Sequence, residues 1–415
     1  MADHTYDVGQ KFDMVFEGGG AKGMVFVGAQ KALEKRQFVP ARVIGTSAGA
    51  ITATLLAAGY NAKMMEDAMA ETDADGKPVF EGFMDAPLAG GFTEDQVNDS
   101  LTMELLDAVK MPSWLGPLEK KVDAWLIRRL MKHQAYRTLF SFVERGGIYA
   151  GNAFLEWFEN KLDAAKGDVN SKMTLAEFDK ATDIDLSVVA SNTTKRTMMV
   201  LNHRTAPDCP VAWAVRMSMS IPFVWQEVVW KEEWGSYRDV DLKSDGTEGA
   251  KVTEDKSITS DRVVDGGALS NFPIRLLTST DKSVQEVMGS KVGPDDYPTI
   301  GMLIDEKKPV ENSGDETEAE RHRKSRMIGR RARERIKRLL NTMTDAHDQA
   351  VIKAHEDRIC RLPAKGYGTM DFDMSDERRA ALVDAGEKAM DKFLNKLVSE
   401  STTVAHAAAS GTAGS

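Results

Sequence analysis

The sequence predicts an α/β fold in which a parallel sheet is covered by helices. Short apolar runs at 13–17 and 41–44 are each followed by a glycine-containing turn and a helix-like segment, at 24–36 and 48–58 respectively. Strands that alternate with helices in this way favour a parallel sheet. Hydrophobic residues make up 42% of the chain and charged residues 28%, which is the balance of a globular protein with a large buried core.

The length and net charge of the chain limit the number of domains and the kinds of partner that we expect. Its 415 residues predict one large domain or two to three ordinary ones, and the formal net charge of -10 argues against a nucleic-acid partner. Two cysteines cannot form a disulfide framework. The polar N-terminus lacks the features of a signal peptide, and no apolar run is long enough to span a bilayer. We therefore expect a cytoplasmic protein whose membrane contacts are peripheral.

The α/β pattern is interrupted once and then resumes. Residues 60–145 are Met-rich, charged and broken by prolines, and they predict a helical insertion that is either a lid over a site or a structural layer. Residues 235–262 predict an exposed loop or hairpin tip, 321–361 are helix-like, and 401–415 form a flexible low-complexity tail. Further strands are predicted at 186–190 and 197–202, which pair with one another, and at 263–267 and 298–304.

The stretch GTSAG places one serine, Ser47, between two glycines, Gly45 and Gly49. This G-x-S-x-G pattern is typical of a nucleophile on a sharp strand-to-helix turn, where the backbone is strained and bulky flanking residues would collide. The amide of Ala48 would then face the reacting centre. The pattern also arises by chance, and the predicted strand before it and helix after it are the context that favours catalysis.

A second glycine motif, GGGAKG, lies between the first predicted strand and its helix. A dinucleotide site would need an acid near the end of the second strand, but no Asp or Glu occurs between Lys35 and Met65, and Met24 stands where a phosphate-binding loop needs lysine. The motif is therefore either an anion cradle of free amides or a tight packing turn. Its residues are Gly18, Gly19, Gly20, Ala21, Lys22 and Gly23.

A catalytic serine needs a base, and no histidine is well placed to serve as one. The histidines lie in helix-like charged segments, in the termini or in polar sequence: His4, His133, His203, His322, His347, His355 and His406. Asp265 instead ends a predicted buried strand and precedes Gly266 and Gly267. An aspartate there either forms a turn or, if poorly solvated, accepts the serine proton directly.

Taken together, the order and spacing of these three motifs resemble the patatin-like phospholipase family. Residues 146–158, 216–225 and 365–386 are also similar to segments of that family, so that the resemblance covers about residues 10–395. It implies a three-layer αβα fold with a mostly parallel central sheet. The resemblance is weakest over 60–145, the helical insertion that we expect to lie over the active site.

The resemblance also implies a mechanism. Ser47 and Asp265 would form a catalytic dyad, with amides of the 18–23 loop and of Ala48 as the oxyanion hole, and with no metal or cofactor. An acyl-enzyme would release fatty acid from a phospholipid or lysophospholipid. Two alternatives remain open: an acyltransferase that uses the same dyad, and a catalytically silent lipid-binding protein. Export of the chain as an effector also remains open.

Two amphipathic segments have two interpretations each. Residues 321–340 carry ten Lys or Arg and one acid, Glu334. They form either a surface helix whose apolar side packs on the core, or a basic helix that contacts an anionic membrane transiently through 321–338. Residues 124–142 are apolar on one face and predict either core packing or the lining of an acyl channel.

Overall fold

The computed structural model describes residues 9–88, 91–108, 129–240, 252–289, 297–313 and 351–411. Its α-helices are α1 (Val25–Lys35), α2 (Ala48–Ala57), α3 (Ala62–Met69), α4 (Glu94–Asn98), α5 (Leu101–Ala108), α6 (Gln134–Arg145), α7 (Asn152–Asp163), α8 (Leu175–Ala181), α9 (Val211–Ser218), α10 (Ile274–Thr278), α11 (Lys282–Met288) and α12 (Asp376–Gly411).

The strands are β1 (Lys11–Phe16), β2 (Val39–Thr46), β3 (Gly147–Tyr149), β4 (Asp185–Asn192), β5 (Thr197–Leu201), β6 (Phe223–Trp225), β7 (Val228–Val229), β8 (Tyr237–Val240), β9 (Val252–Lys256), β10 (Arg262–Asp265), β11 (Thr299–Pro309) and β12 (Ile359–Lys365). Short 3-10 helices at Gly20–Met24 and Val79–Phe83 also bear on the site.

The central sheet has eight strands and is mostly parallel, as the sequence predicts. The strand order is β12-β11-β1-β2-β4-β10-β7, and β5 pairs with β4 outside this path. Strands β12, β11, β1, β2 and β4 run parallel, whereas β10, β7 and β5 join through antiparallel pairs. The predicted pairing of 186–190 with 197–202 is confirmed by β4 and β5.

Alternate residues of the central strands face two separate hydrophobic clusters. On β1, Met14 and Phe16 join a large cluster with residues of α1, α2 and α12. Val15, between them, joins a smaller cluster that includes Ile274 of α10 and Val287 of α11. Because successive side chains of a strand point to opposite faces of a sheet, the sheet is covered on both faces. The three-layer αβα fold is confirmed.

Helix α12 crosses α1 at very short range. A Cβ on Gly28 of α1 would lie 1.8 Å from the carbonyl oxygen of Val383, and a Cβ on Gly386 of α12 would lie 2.1 Å from that of Val25. The glycines therefore allow the two backbones to approach closely. This packing fastens the C-terminal part of the chain to the helix that follows the first glycine motif.

Several predicted segments have mixed outcomes. The described part of 60–145 is largely helical, and Phe140 of α6 is buried in a small cluster with Val97 and Met103, whereas Leu139 is exposed. Residues 109–128 of this segment, and the basic segment 321–340, lie outside the described residues. Strands β8 and β9 form the two arms of an antiparallel pair within 235–262. Helix α12 continues through 401–411 of the predicted flexible tail.

Within the ranges that the structure describes, every helix is too short or too polar to cross a bilayer.

Candidate active site

The strand register on β4 brings Ser47 and Asp265 together. Strand β2 pairs with β4 in parallel and ends with Thr46 opposite Val189. Strand β10 pairs with β4 antiparallel and ends with Asp265 opposite Ala190, the next residue. Because β5 pairs along both of these stretches, it lies on the other edge of β4, and β2 and β10 share one edge. Their carboxyl ends therefore meet head-on, with the serine and the aspartate at the junction.

Ser47 lies on a strained turn between β2 and α2. Its backbone has φ 54° and ψ -120°, a region that non-glycine residues rarely occupy. A Cβ on Gly45 would lie 2.2 Å from the carbonyl group of Gly49, and a Cβ on Gly49 would lie 2.3 Å from the carbonyl oxygen of Phe16. Both flanking glycines are thus required by close backbone packing, which is the physical reason for the G-x-S-x-G spacing.

Helix α2 begins directly after the serine and is buried on nearly every side. Of its residues, only Ile51 is less than fully buried, which explains why the helix is built from small and apolar side chains. Two threonines bond back into the helix: the hydroxyl of Thr52 donates to the carbonyl oxygen of Ala48 (3.0 Å), and that of Thr54 donates to Ala50 (2.8 Å). The N-terminus of this helix points its free amides toward Ser47.

Ser218, at the end of α9, holds the turn in place, and sequence reasoning assigned it no role. Its hydroxyl donates to the carbonyl oxygen of Val189 (2.6 Å) and accepts from the backbone amide of Ser47 (2.9 Å). The carbonyl oxygen of Ser220 accepts from the amide of Asp265 (2.9 Å). Two serines of one short segment therefore contact both halves of the site. The signal available in the sequence was hydroxyl groups within an otherwise apolar run.

Asp265 is almost completely buried, with 4% of its surface exposed. Its Oδ1 accepts from the amide of Gly267 (2.7 Å). Among the described residues, its Oδ2 has no hydrogen bond within ordinary distance and angle limits. Burial raises the pKa of Asp265 to about 7, while the nearby Ser47 hydroxyl and the Gly267 amide pull the pKa down. The carboxyl group thus changes charge near neutral pH, where a general base is most effective.

The first glycine loop packs against Ser47 and Ala48. A Cβ on Gly18 would lie 3.4 Å from the Cβ of Ser47, and a Cβ on Gly23 would lie 2.6 Å from the Cβ of Ala48. The side chain of Lys22 is buried and pairs with Glu306 in the second half of β11. This pairing anchors the loop to the sheet, and the loop backbone then lies beside the serine.

The amides of the loop divide into two groups. Those of Gly18, Ala21 and Lys22 donate to the carbonyl oxygens of Asn271 (3.0 Å), Thr369 (2.9 Å) and Gly19 (3.2 Å) respectively. Of the seven amides predicted to form an oxyanion hole, these three are therefore occupied within the protein.

The remaining amides include three that have no hydrogen-bond acceptor among the described residues. Within the described part of the chain, the amides of Gly19, Gly20 and Ala48 donate to no backbone or side-chain acceptor. Gly23 lies inside the 3-10 helix Gly20–Met24. The free amides stand at the two helix N-termini that converge on Ser47, where an anion is stabilised by N–H groups and by the helix dipole.

Two residues outside the predicted motifs hold this loop. The side-chain amide of Asn271 donates to Glu17 Oε1 (3.1 Å) and to the carbonyl oxygen of Gly18 (3.0 Å). The carbonyl oxygen of Thr369 accepts from Ala21 and lies so close to Gly20 that an added Cβ would be 2.2 Å from it. The loop is therefore clamped from both sides by residues that are distant in the chain.

Ser47 opens onto an apolar cavity of about 740 Å³, counting its mouth. The described lining comes from the 3-10 helix Gly20–Met24, one face of α2, one face of α3, the 3-10 helix Val79–Phe83, the first turns of α7, the segment 219–225 and Phe372. Apart from Ser47 and Thr52, the lining residues that the structure describes are glycine or apolar. Parts of the predicted insertion of 60–145 therefore form a wall of the cavity.

The histidines whose side chains are described lie away from this centre. His203 contacts Asp179 of α8 (2.9 Å) and lies 3.9 Å from Asp185 at the start of β4, whereas the serine lies beside the end of that strand. His355 is within 3.3 Å of the Thr278 hydroxyl, and His133 is exposed at the start of α6.

The contacts of His203 also bear on the expectation that no metal is bound. The ligand atoms of Asp179, Asp185 and His203 lie within 4.8 Å of one another. However, Arg204 makes two hydrogen bonds to Asp185 (3.2 and 2.6 Å), so this carboxylate already has a cationic partner. The cluster is accounted for as an ion-pair network.

Comparison with known proteins places these features in context. A model of the patatin-like phospholipase family matches residues 14–278. The uncharacterized protein YqhO of Bacillus subtilis is 28% identical over 391 residues, which are 92% of this chain and 98% of YqhO. Among solved structures, VipD from Legionella pneumophila is 16% identical with a TM-score of 0.42, covering 94% of this chain and 68% of VipD.

The ExoU–SpcU complex from the type III secretion system of Pseudomonas aeruginosa also matches, at 16% identity and a TM-score of 0.37. That match covers 95% of this chain and 53% of the other.

Proposed function

Because the chain belongs to the patatin-like phospholipase family, we propose that it hydrolyses the carboxylic esters of phospholipids or lysophospholipids through a Ser47–Asp265 dyad. The observation that carries this proposal is the head-on meeting of β2 and β10 along β4. It places a strained serine and a buried carboxyl group with a pKa near neutrality at one junction. Strain and a displaced pKa at one point are features of catalytic sites.

The proposed reaction has two halves. The Ser47 Oγ attacks the ester carbonyl carbon while the Asp265 carboxylate takes the hydroxyl proton. The carbonyl oxygen becomes an oxyanion that accepts from the free amides of Gly19, Gly20 and Ala48. The C–O bond to the alcohol then breaks, Asp265 returns its proton to the leaving oxygen, and the acyl group remains on Ser47.

Water completes the cycle. Asp265 takes a proton from the water as its oxygen attacks the acyl-enzyme carbonyl, and the same amides stabilise the second oxyanion. Ser47 leaves with the proton from Asp265, and the fatty acid is released. In enzymes of known mechanism, the loss of a single oxyanion donor lowers kcat by about 10²- to 10³-fold.

The composition of the cavity supports a fatty acyl chain as the bound part of the substrate. Among the described residues, its lining contains no charged side chain, so a phosphate or choline group would lose its hydration there without gaining a partner. An acyl chain, by contrast, is stabilised by leaving water for this surface. The polar part of the substrate is therefore expected to remain at the mouth.

The test is activity-based labelling combined with product analysis. A fluorophosphonate probe should label the wild-type protein and the Ser257→Ala variant, an exposed-serine control, but not Ser47→Ala. Long-chain phosphatidyl and lysophosphatidyl lipids should yield free fatty acid with the same dependence on Ser47. Equal labelling of Ser47→Ala would contradict the proposal. Repeating the assay with an added alcohol acceptor separates hydrolysis from acyl transfer, because a transferase would form a new ester.

Contact with a membrane remains a prediction for the basic segment 321–338, which lies outside the described residues. If this segment binds anionic lipid, raising the salt concentration should weaken co-sedimentation with anionic vesicles. Binding that is independent of salt would discard the electrostatic contribution.

A further inference from the structure

The cavity is elongated, because two helices run away from the catalytic centre along its sides. On α2, the lining residues Ala48, Ile51 and Leu55 share one face, and the helix rises roughly 10 Å over this span. On α7, the lining residues Phe154 and Trp157 lie one turn apart. The near and far ends of the cavity are therefore separated along these helix axes.

Contacts at both ends show that the two helices run in the same sense from the centre. The carbonyl oxygen of Gly151, at the start of α7, accepts from the buried guanidinium of Arg216 (3.1 Å), two residues before Ser218. At the other end, the Tyr60 hydroxyl, just beyond α2, donates to the carbonyl oxygen of Lys161 (2.7 Å). Trp157 is one turn before Lys161, so its ring stands at the end of the cavity remote from Ser47.

Behind Trp157 the surroundings change from apolar to polar. Its indole Nε1 donates to Glu71 Oε2 (3.1 Å), and Lys161 pairs with the same carboxylate and lies over the indole ring (5.9 Å). The Glu71 side chain is 38% exposed, whereas Trp157 is 6% exposed. The indole ring is thus the boundary between the apolar cavity and a solvent-facing ion pair.

The front of the same ring belongs to an aromatic cluster. The ring centroid of Trp157 lies 5.3 Å from that of Phe80 and 5.2 Å from that of Phe83, and Phe83 meets Phe154 edge-on at 5.3 Å. These contacts hold the ring from the cavity side, while Glu71 holds its N–H edge from behind. The orientation of the indole is therefore determined on both sides.

We infer that Trp157 is the stop that limits the length of the acyl chain, and that Glu71 and Lys161 position its ring. This inference rests on the proposed function, since it describes how the same site selects its substrate. Each additional methylene that enters the cavity leaves water and should raise kcat/KM by about fourfold. The Glu71–Lys161 pair lies beyond the indole, so that further methylenes gain nothing or clash.

The experiment measures kcat/KM for lysophospholipids of graded acyl length with the full-length protein. The wild type should show a rise with chain length and then a sharp decline. Trp157→Ala should move the optimum to longer chains by several methylenes. Trp157→Phe, which keeps a ring and is the safer variant for folding, should move the optimum less. Trp213→Ala, a partly buried tryptophan outside the lining, is the matched control.

Glu71→Gln tests the positioning role. It keeps a hydrogen-bond acceptor for the indole but removes the charge that holds Lys161, so the decline beyond the optimum should become less steep without a shift of the optimum. A uniform loss of kcat/KM at all chain lengths in Trp157→Ala and Trp157→Phe, or an unchanged optimum in both, would overturn the inference.

Binding of fatty acids of graded length to Ser47→Ala, measured by calorimetry, separates this inference from the proposed function. In one outcome, Ser47→Ala binds fatty acids only up to a certain chain length, the Ser47→Ala, Trp157→Ala double variant binds longer ones, and the wild type releases no fatty acid. The hydrolase proposal then fails, and the role of Trp157 as the stop remains. In the other outcome, fatty acid is released, but the Trp157 variants change the chain-length limit neither in binding nor in kcat/KM. The role of Trp157 as the stop then fails, and the hydrolase proposal remains.

Discussion

The edge of the sheet and the helical wall of the cavity would meet the same substrate in the proposed reaction, but they are built in different ways. At the sheet edge, residues are placed by backbone against backbone: a Cβ on Gly45 or Gly49 would lie within 2.3 Å of main-chain atoms, and one on Gly266 within 2.4 Å of the Val189 carbonyl oxygen. In the wall, the contacts are between side chains, such as the rings of Phe80 and Trp157.

This difference indicates that the catalytic geometry and the shape of the cavity can vary independently. Main-chain positions can change only if strands or helices move, and densely packed interiors resist such movement. A side chain in the wall can be exchanged at the expense of local packing, with a new cavity shape as the result. We therefore expect changes at the sheet edge to abolish catalysis, and changes in the wall to alter which chains are accepted.

The largest effect is expected at the dyad itself. Ser47→Ala and Asp265→Asn should each lower kcat/KM for ester hydrolysis by at least about 10³-fold, because the remaining amides cannot replace the nucleophile or its base. His203→Ala and His355→Ala are the matched controls and should stay within about threefold of wild type. A histidine variant that folds normally and is as inactive as Ser47→Ala would disprove the dyad.

The strain at the serine offers a stability readout that does not depend on activity. Ser47→Gly should be as inactive as Ser47→Ala but should have a free energy of unfolding about 1 kcal/mol higher, because glycine adopts positive φ without steric cost. Chemical denaturation of the two variants measures this difference. Equal stability would mean that the turn is not strained.

The next effect compares one glycine from each region. Gly45→Ala should lower the free energy of unfolding by roughly 3 kcal/mol or more and remove activity, because its Cβ would lie 2.2 Å from the Gly49 carbonyl group. Gly82→Ala, in the wall, has no atom within 4 Å of the added Cβ and should change stability by less than about 1 kcal/mol. Similar losses of stability in both variants would contradict the difference proposed between the sheet edge and the wall.

A smaller effect is expected at Ser218, which joins the sheet edge to the turn. Ser218→Ala leaves a buried carbonyl oxygen and the Ser47 amide without their partner, which costs about 1–3 kcal/mol of stability. We expect kcat to fall by about 10- to 100-fold with little change in KM. Ser171→Ala removes another buried hydroxyl, one bonded to Asp163 outside the site, and should reduce stability alone. Unchanged kcat in Ser218→Ala would exclude a positioning role.

The most graded effect follows from pH. Because Asp265 must be ionised to accept a proton, kcat/KM should rise as the pH passes through about 7 and level off above it. The stability contribution of Asp265 has the opposite sign. Its pKa is raised in the folded state, so this contribution is complete below the ordinary pKa of 3.8 and is lost as the pH rises through about 7.

The matched variant isolates that contribution. The free energy of unfolding of Asp265→Asn minus that of wild type should increase between about pH 4 and 7, by a few kcal/mol at most, and then stay constant. Urea denaturation across this range provides the measurement. A difference that is independent of pH would show that the carboxyl group keeps its ordinary pKa.

Much of the fold was predictable, because it depends on local patterns. The first strand–turn–helix units, the β4–β5 pair and the parallel sheet were all predicted from apolar runs and glycine-containing turns. Ser218, Asn271 and Thr369 were missed as positioning residues because their contacts join segments far apart in the chain. Spacing along the sequence carries no information about which distant hydroxyl or carbonyl group completes a turn.

The amino-acid sequence by itself determined the local chemistry: a serine that only glycines can flank, a loop of amides at a helix N-terminus, and an aspartate at a strand end. Each follows from short-range sterics and hydrogen bonding. Only the tertiary structure decided that β2 and β10 meet on one edge of β4, and that the insertion turns an apolar face toward Ser47. Burial within that assembly, which no local segment can produce, is what raises the pKa of Asp265.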